Sequence, residues 1–399
     1  MNTSQKSNEL NKKSNLPIIF FLSLSLITAL INSSVPTPLY PYYKEIFKLS
    51  ATMVSVVYGA YATGVIIALL VIGKLSNLFD DKRILILPSL FIVFIAGILF
   101  SRSNSFLDLF IARFLTGIAT GGLTGAANIS LLKICKKDNG KTAAFIAVLS
   151  FTLGLSLGPL ISGLSIEYNF YYLKFPFYII SLFSAISFIG IAIYWPKKIS
   201  EPITINNEKK YSNKILHVNK FIICAISLFL CWMFAACILT FGPTLSKLIG
   251  GDKGELYFSF IITAYLLIAG VSQIISKKLE SKHSVIFGYT SQLFSFSLLF
   301  MGLYFKSPLL SLAGFILAGY AYGALFVGSA SLVNHISNEE NHARSISLLY
   351  LIAYTANWIP ILIGFFVDIY AIENVTYISL LSFSLIEILV LFLFKKTQF

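Results

Sequence analysis

Two ionisable side chains interrupt long apolar stretches of this sequence: Arg113 and Glu387. A cation inside an apolar segment is costly unless it is paired or faces water, so we expect a functional role for Arg113. Glu387 is the only acid deep inside such a stretch, and a protonatable carboxylate there could carry a coupling proton. Two structural alternatives are an arginine that snorkels to cap carbonyl groups and a protonated carboxyl hydrogen-bonded between helices.

Aromatic side chains accompany these two charges. Aromatic rings stack on planar ligands or hold cations, although packing and membrane-interface roles fit the same residues. Among those inside apolar stretches, Trp232 and Tyr320 are candidates for a substrate site. The others are Tyr58, Tyr61, Tyr322, Tyr354 and Trp358.

The sequence contains no constellation of residues that is typical of an enzyme. Its four histidines fall in polar segments, its four cysteines lack a metal-ligand spacing, and it has no Gly-rich phosphate loop. We therefore expect no catalytic site, no metal and no cofactor, and we do not expect ATP hydrolysis within this chain.

The elements that must position these side chains are predicted to be membrane-spanning helices. Of 399 residues, 57% are hydrophobic and 12% are charged, and the mean hydropathy is +0.81, which is typical of a polytopic membrane protein. Apolar runs of about 20 residues, the length that a bilayer core requires, predict an all-α protein with twelve spans. The predicted spans are 17–37, 50–72, 84–101, 107–132, 142–166, 171–195, 220–243, 255–276, 284–305, 309–333, 343–367 and 374–394.

The basic residues predict how the chain is oriented. Most of the 30 Lys and Arg residues fall in segments on the same side as the two termini. The positive-inside rule then places both termini in the cytoplasm, in a multi-pass protein of the inner (cytoplasmic) membrane. This distribution accounts for the net charge of +13 without a nucleic-acid partner, and we expect a monomer in the lipid bilayer.

Polar stretch 196–219 is the longest in the chain and divides the spans into six plus six. Landmarks of the first six spans recur in the last six at an offset of 201 or 202 residues, which indicates a duplicated half. The matched pairs are Gly117 with Gly319, Gly121 with Gly323, Pro159 with Pro360 and Gly163 with Gly364. The predicted units are a cytoplasmic tail 1–16, a bundle 17–195, a cytoplasmic linker 196–219, a bundle 220–394 and a cytoplasmic tail 395–399.

The fifth span carries small residues around a proline. Pro159 cannot donate to the carbonyl of Leu155, so the helix is expected to bend or loosen there. Small residues at helical spacing let a neighbouring helix approach, which suits a rocking contact, although a static helix fits them equally. The candidate hinge residues are Gly154, Gly158, Pro159 and Gly163, with Pro360 and Gly364 in the repeat.

Three segments together resemble the motifs of the major facilitator superfamily, and the resemblance covers essentially the whole chain. The fourth span, from Arg113 to Gly122, is similar to motif B, and the fifth span is similar to motif C. The family usually has an acid where Asn77 stands and a glycine where Ser162 stands. The loop after the second span resembles the gating motif A, with Gly73, Asn77, Asp80, Lys82 and Arg83 as its counterparts.

The resemblance implies two six-helix bundles that rock around a central cavity. In the family, helices 1, 4, 7 and 10 line this cavity, so Asn32, Arg113 and Asn128 are expected to contact a small-molecule substrate or to take part in proton coupling. Motif C is associated with exporters, which implies proton-coupled efflux of drugs or amphipathic metabolites. An importer or facilitator of a small metabolite is the alternative, and a non-transporting sensor or a membrane enzyme is a remote one.

Overall fold

A computed structural model describes residues 3–75, 79–135, 141–196, 217–251, 254–338 and 341–397. Twelve segments of this part of the chain are helical, long and apolar enough to cross a membrane, which confirms the predicted all-α polytopic fold. The helices are α1 (Thr3–Ser34), α2 (Tyr40–Ile46), α3 (Ala51–Leu75), α4 (Arg83–Ser101), α5 (Phe106–Ile134), α6 (Lys141–Glu167), α7 (Phe175–Tyr194), α8 (Val218–Gly250), α9 (Gly254–Ser276), α10 (Ser281–Tyr304), α11 (Pro308–Ile336), α12 (His342–Thr355), α13 (Ile359–Ile369) and α14 (Ile372–Lys396).

Two spans are interrupted. The first consists of α1, a 3-10 turn (Thr37–Leu39) and the short α2, and the eleventh consists of α12 and α13 around a 3-10 turn (Ala356–Trp358). Pro360 follows this second turn and lacks the N–H that would bond to the carbonyl of Ala356, which explains the break. Its repeat partner Pro159 lies within α6, which continues through it as one helix.

The ends of the chain differ in detail from the predicted units. Helix α1 begins at Thr3, so its backbone continues through most of the predicted tail 1–16. Residues 197–216 of the predicted linker and 398–399 of the predicted C-terminal tail lie outside the described residues. Because twelve spans alternate in direction, both termini lie on the same face of the membrane. We call this face the terminal face and the opposite one the distal face.

The helices form two bundles with separate cores. Buried apolar residues between 18 and 195, together with Ala236, make one core, and those between 221 and 394 make the other. The bundles contact each other chiefly along two seams, one between α6 and α9 and one between α3 and α13. A site shared by both bundles must therefore lie between these seams.

Candidate substrate site

Arg113 lies two turns into α5. Ser105 caps the start of this helix by accepting a hydrogen bond from the N–H of Asp108 at 3.2 Å. The Arg113 side chain is 2% exposed and turns toward α1 and α3, where its Nη1 donates to the carbonyl of Ser33. Its Cζ lies 4.8 Å from the ring centre of Tyr61 and 5.5 Å from that of Tyr58, so two aromatic rings and a carbonyl surround the charge.

Gly117, one turn further along α5, explains why the tyrosines reach Arg113. Its Cα lies against the backbone carbonyl of Tyr61, and any side chain there would collide with α3. The backbones of α3 and α5 therefore touch at this point, because a small residue lets two helices approach closely.

Several polar atoms around Arg113 have no hydrogen-bond partner among the described residues. They are Nε of Arg113, both amide atoms of Asn32 and the hydroxyl of Tyr40. Asn32 is fully buried, and the ring of Tyr40 lies 6.4 Å from that of Tyr58. A buried polar group without a partner costs about 1–3 kcal/mol, so this cluster requires either water or a ligand to satisfy it.

The second bundle contributes a cluster of aromatic rings. Trp232 of α8 packs edge-on against Tyr354 of α12 at 4.8 Å and stacks on Phe326 of α11 at 6.3 Å. Tyr322 joins the cluster through Phe326 at 6.4 Å, and Tyr350 does so at 6.0 Å. All five side chains are only half-buried. We call these five residues the aromatic cluster.

The two groups of residues meet between the bundles. The hydroxyl of Tyr58 donates to the Asn357 side chain across the interface at 3.1 Å. Tyr322 and Tyr354 lie close enough to Tyr61 for their hydroxyl groups to interact electrostatically. The surroundings of Arg113 and the aromatic cluster are thus two walls of one central region.

The structure does not bring all of the predicted substrate residues to this region. Asn32 and Arg113 lie in one wall and Trp232 in the other. Tyr320 is half-buried on the side of α11 that carries the exposed Ile316, because residues two apart on a helix point in nearly opposite directions and Tyr322 occupies the inner face. Asn128 lies about 22 Å from Arg113 along α5, toward the terminal face.

Glu387 lies inside the second bundle rather than in the central region. It is 1% exposed on α14, its Oε2 lacks a hydrogen-bond partner among the described residues, and its neighbours are Cys231 and Tyr289. The Tyr289 hydroxyl donates to Ser227 at 2.7 Å. The thiol of Cys231 reaches the Tyr322 carbonyl at 3.7 Å, so Glu387 sits directly behind the aromatic cluster.

The predicted gate is described only in part. Gly73 lies in the last turn of α3, Asn77 lies outside the described residues, and Asp80 is exposed. Arg83 pairs with the neighbouring Asp81 at 2.5 Å and lies 5.8 Å from the Trp195 ring. The contacts of Asp81 and Arg83 are therefore within the first bundle.

Charge and burial shift the pKa values of the gate loop, in opposite directions for Asp81 and in the same direction for Lys82. Burial favours a higher pKa for Asp81, but hydrogen bonds and the charge of Arg83 outweigh it and leave this pKa below its ordinary value. Burial and the charge of Lys133 lower the pKa of Lys82, whose ammonium donates to the Phe79 carbonyl at 2.7 Å. The loop is thus held by local pairing within the first bundle.

The predicted hinge residues face two different partners. Gly154 and Gly158 lie against α1, and Ser162, which stands where the family has glycine, donates to the Val35 carbonyl at 2.8 Å. Gly163 instead lies against Ser259 of α9 in the other bundle. The repeat reproduces this contact, since Gly364 of α13 lies against Ser55 of α3.

The sequence reasoning missed Asp368, near the end of α13. Its carboxylate accepts hydrogen bonds from the N–H groups of Ala51 at 2.6 Å and Thr52 at 3.0 Å, and from the Thr52 hydroxyl at 2.6 Å. An anion at a helix N-terminus is stabilised by the free N–H groups and the helix dipole, so Asp368 binds the two bundles together at the distal face. The offset of 201 that relates Pro159 to Pro360 also relates Glu167 to Asp368. This match of two acids in the repeat is the sequence feature from which Asp368 could have been selected.

Comparison with protein families gives one match that covers most of the chain. Residues 22–359 match the family model described as Major Facilitator Superfamily. An uncharacterised MFS-type transporter of Methanocaldococcus jannaschii is 23% identical over 198 residues, which is 49% of each chain. A multi-drug resistance efflux pump PmrA homolog of Lactococcus lactis is 29% identical over 158 residues, which is 39% of each chain. The chain thus spans half or less of the length of these relatives.

Solved structures share the fold over nearly the whole chain. The nucleoside transporter NupG, in a mutant form, aligns with a TM-score of 0.77 at 14% identity, covering 95% of this chain and 99% of its own. A bacterial homolog of the human lysosomal transporter Spinster aligns with a TM-score of 0.70 at 13% identity, covering 96% of this chain and 95% of its own.

Proposed function

Because this chain belongs to the major facilitator superfamily and is a secondary transporter of small molecules rather than an enzyme, we propose that it works as a proton-coupled exporter. Its substrates are drugs or amphipathic metabolites, bound between Arg113 and the aromatic cluster. The protein lies in the inner membrane with both termini in the cytoplasm, as its basic residues predict.

The packing of helix α6 is the main observation that supports this proposal. Through Gly154 and Gly158 it packs on α1 beside Asn32 and Ser33, and through Gly163 it packs on the other bundle. A movement of α6 along the seam would therefore be transmitted to the wall that holds Arg113. Similarity of this segment to motif C and of the chain to an efflux pump homolog supports the direction of export.

Glu387 is the proposed proton carrier. Its buried, incompletely hydrogen-bonded carboxyl lies behind the aromatic cluster, and the thiol of Cys231 connects the two. Protonation would remove a buried charge there, and the packing of α8 and α14 would respond to it. A buried, permanently protonated carboxyl in a static bundle is the alternative.

Transport in cells tests the direction. Cells that over-express the protein should accumulate less of a fluorescent amphipathic compound than control cells, and a protonophore should abolish the difference. Uptake of a compound without export of any compound tested would refute export.

Reconstituted protein tests the coupling. With Glu387→Gln, counterflow in proteoliposomes should continue, whereas accumulation driven by a pH gradient should be lost, because an amide cannot carry the proton. Unchanged accumulation in this variant would remove Glu387 from the mechanism.

A facilitator of a metabolite is the second candidate. The described part of the central region contains a cation and no carboxylate, so the substrate site itself offers no acidic proton carrier. In this case a pH gradient would not change counterflow in the wild-type protein.

A further inference from the structure

The positive charge in the central region has no acidic counterpart in the described structure. Arg113 makes one hydrogen bond, to the Ser33 carbonyl, and its Nε is buried without a partner. Asp108, the nearest acid along the chain, is half-buried, and its carboxylate accepts hydrogen bonds from the N–H groups of Asn104, at 2.9 Å, and Ser105. Glu387 lies inside the second bundle, behind the aromatic rings.

The unpaired atoms around Arg113 are mostly donors. Nε of Arg113, the amide nitrogen of Asn32 and the hydroxyl of Tyr40 each lack an acceptor among the described residues. The amide oxygen of Asn32 lacks a donor there, and the Tyr40 hydroxyl can accept as well as donate. A guanidinium presents a pair of N–H groups that fits the two oxygens of a carboxylate, and such charge-assisted pairs are the stronger hydrogen bonds. The missing chemical group is therefore an anion with acceptor oxygens.

The side of the central region opposite Arg113 is lined by aromatic side chains on which a flat aromatic ring can stack. Trp232, Tyr322, Phe326 and Tyr354 present half-buried rings from three helices, and Tyr61 faces them from the first bundle. Half-burial of five large rings leaves π faces and edges for stacking with a planar ligand. A cationic ligand would meet the same rings, but it would also meet the uncompensated charge of Arg113.

We propose that the transported substrate is a small aromatic acid, whose carboxylate pairs with Arg113 and whose ring stacks in the aromatic cluster. This inference rests on the proposed secondary transport and specifies its substrate class. It excludes lipophilic cations as the preferred ligands of the central region.

Binding of three probes with one ring system tests the charge preference. Full-length protein in lipid nanodiscs is titrated calorimetrically with 2-naphthoate, 2-naphthamide and 2-naphthylmethylammonium. We expect the carboxylate to bind at least about ten-fold more tightly than the amide, and the ammonium to bind most weakly. Equal binding of the three, tighter binding of the ammonium, or binding of none would overturn the proposal.

Two variants assign the preference to Arg113. Arg113→Gln should remove the advantage of 2-naphthoate over 2-naphthamide, whereas Arg102→Gln, at an exposed position just before α5, should keep it. An advantage that persists in a folded Arg113→Gln protein would refute the assignment. If that variant does not fold, the ranking of the three probes with the wild-type protein still decides the proposal.

Failure of this inference differs from failure of the proposed function. Binding of 2-naphthoate without transport of any compound in proteoliposomes would contradict the transport function and leave the site assignment intact. Transport of cationic compounds with weak binding of 2-naphthoate would contradict the aromatic-acid substrate and leave the transport function intact.

Discussion

The guanidinium of Arg113 contacts ring faces and a carbonyl rather than a carboxylate. The guanidinium carbon lies 4.8 Å from the Tyr61 ring centre while Nη1 donates to Ser33, and a flat, forked cation can make both contacts at once. An ammonium group is a compact point charge and cannot reproduce this arrangement.

Arg113→Lys should therefore lower transport by about ten-fold even though the charge is kept. Initial rates in proteoliposomes provide the measurement, and Arg102→Lys should stay within about two-fold of the wild-type rate, because surface substitutions change little. Thermal unfolding of both variants reports whether the protein is folded. A fully active Arg113→Lys protein would show that transport does not require the planar, forked guanidinium group.

Single residues also show what sequence could and could not reveal about the site. The place of Arg113 within a membrane span follows from the apolar run around it. The choice between Tyr320 and Tyr322 depends on the rotation of α11, and the hydrophobic residues around this helix leave that rotation undetermined. The interior position of Glu387 depends on the rotation of α14 in the same way.

At the scale of helices, the two seams between the bundles are each built on a glycine that faces a serine. Gly163 lies against Ser259 and Gly364 against Ser55, in both cases without room for a further methyl group. The proline and glycine repeat predicted two corresponding positions, but not that a serine would face the glycine at each of them. Residue spacing reveals a helix face, whereas the identity of the helix packed on it is a tertiary property.

Gly163→Ala and Gly364→Ala should each reduce transport several-fold, because the added methyl group pushes the helices apart at the seam. Gly125→Ala on α5 is the matched control, since its new methyl group would meet nothing within 4 Å. This control should retain transport and gain up to about 1 kcal/mol of stability from helix propensity. Comparable losses in all three variants would indicate a general effect of glycine replacement.

For the whole molecule, contacts at the distal face hold the bundles together with unequal strength. Asp368 is exposed but makes three hydrogen bonds to the start of α3, whereas Lys247 and Glu45, also exposed, form an ion pair at 3.4 Å. Three short hydrogen bonds to one carboxylate contribute more than a single long ion pair, although solvent screens both, and an exposed ion pair contributes about 0–1 kcal/mol. The Asp368 contacts should therefore contribute more than the Lys247–Glu45 ion pair to holding the bundles together at the distal face.

Asp368→Asn should open the distal side more often, and Glu45→Gln should have little effect. The measurement is the rate at which a water-soluble maleimide labels Ser259→Cys, which is 1% exposed at the seam, in protein whose four native cysteines are replaced. We expect labelling to accelerate several-fold with Asp368→Asn and by less than about two-fold with Glu45→Gln. Equal effects of the two substitutions would contradict the ranking.

The twelve spans and two bundles were predictable because a bilayer imposes a fixed length on apolar helices. The capping of α3 by Asp368 was not, because it depends on contacts between residues about three hundred positions apart. Such contacts leave no periodic trace in either of the segments that make them.

The glycine–serine seams also bear on how transport responds to temperature. Separating glycine, serine and threonine contacts such as Gly163–Ser259 and Thr263–Ser156 exposes little apolar area, and the heat-capacity change of a transition scales with the apolar area exposed. Opening should therefore have an activation enthalpy that is nearly constant with temperature. In a fluid bilayer, turnover should follow a straight Arrhenius line, whereas seams lined with large aliphatic side chains would give a curved one.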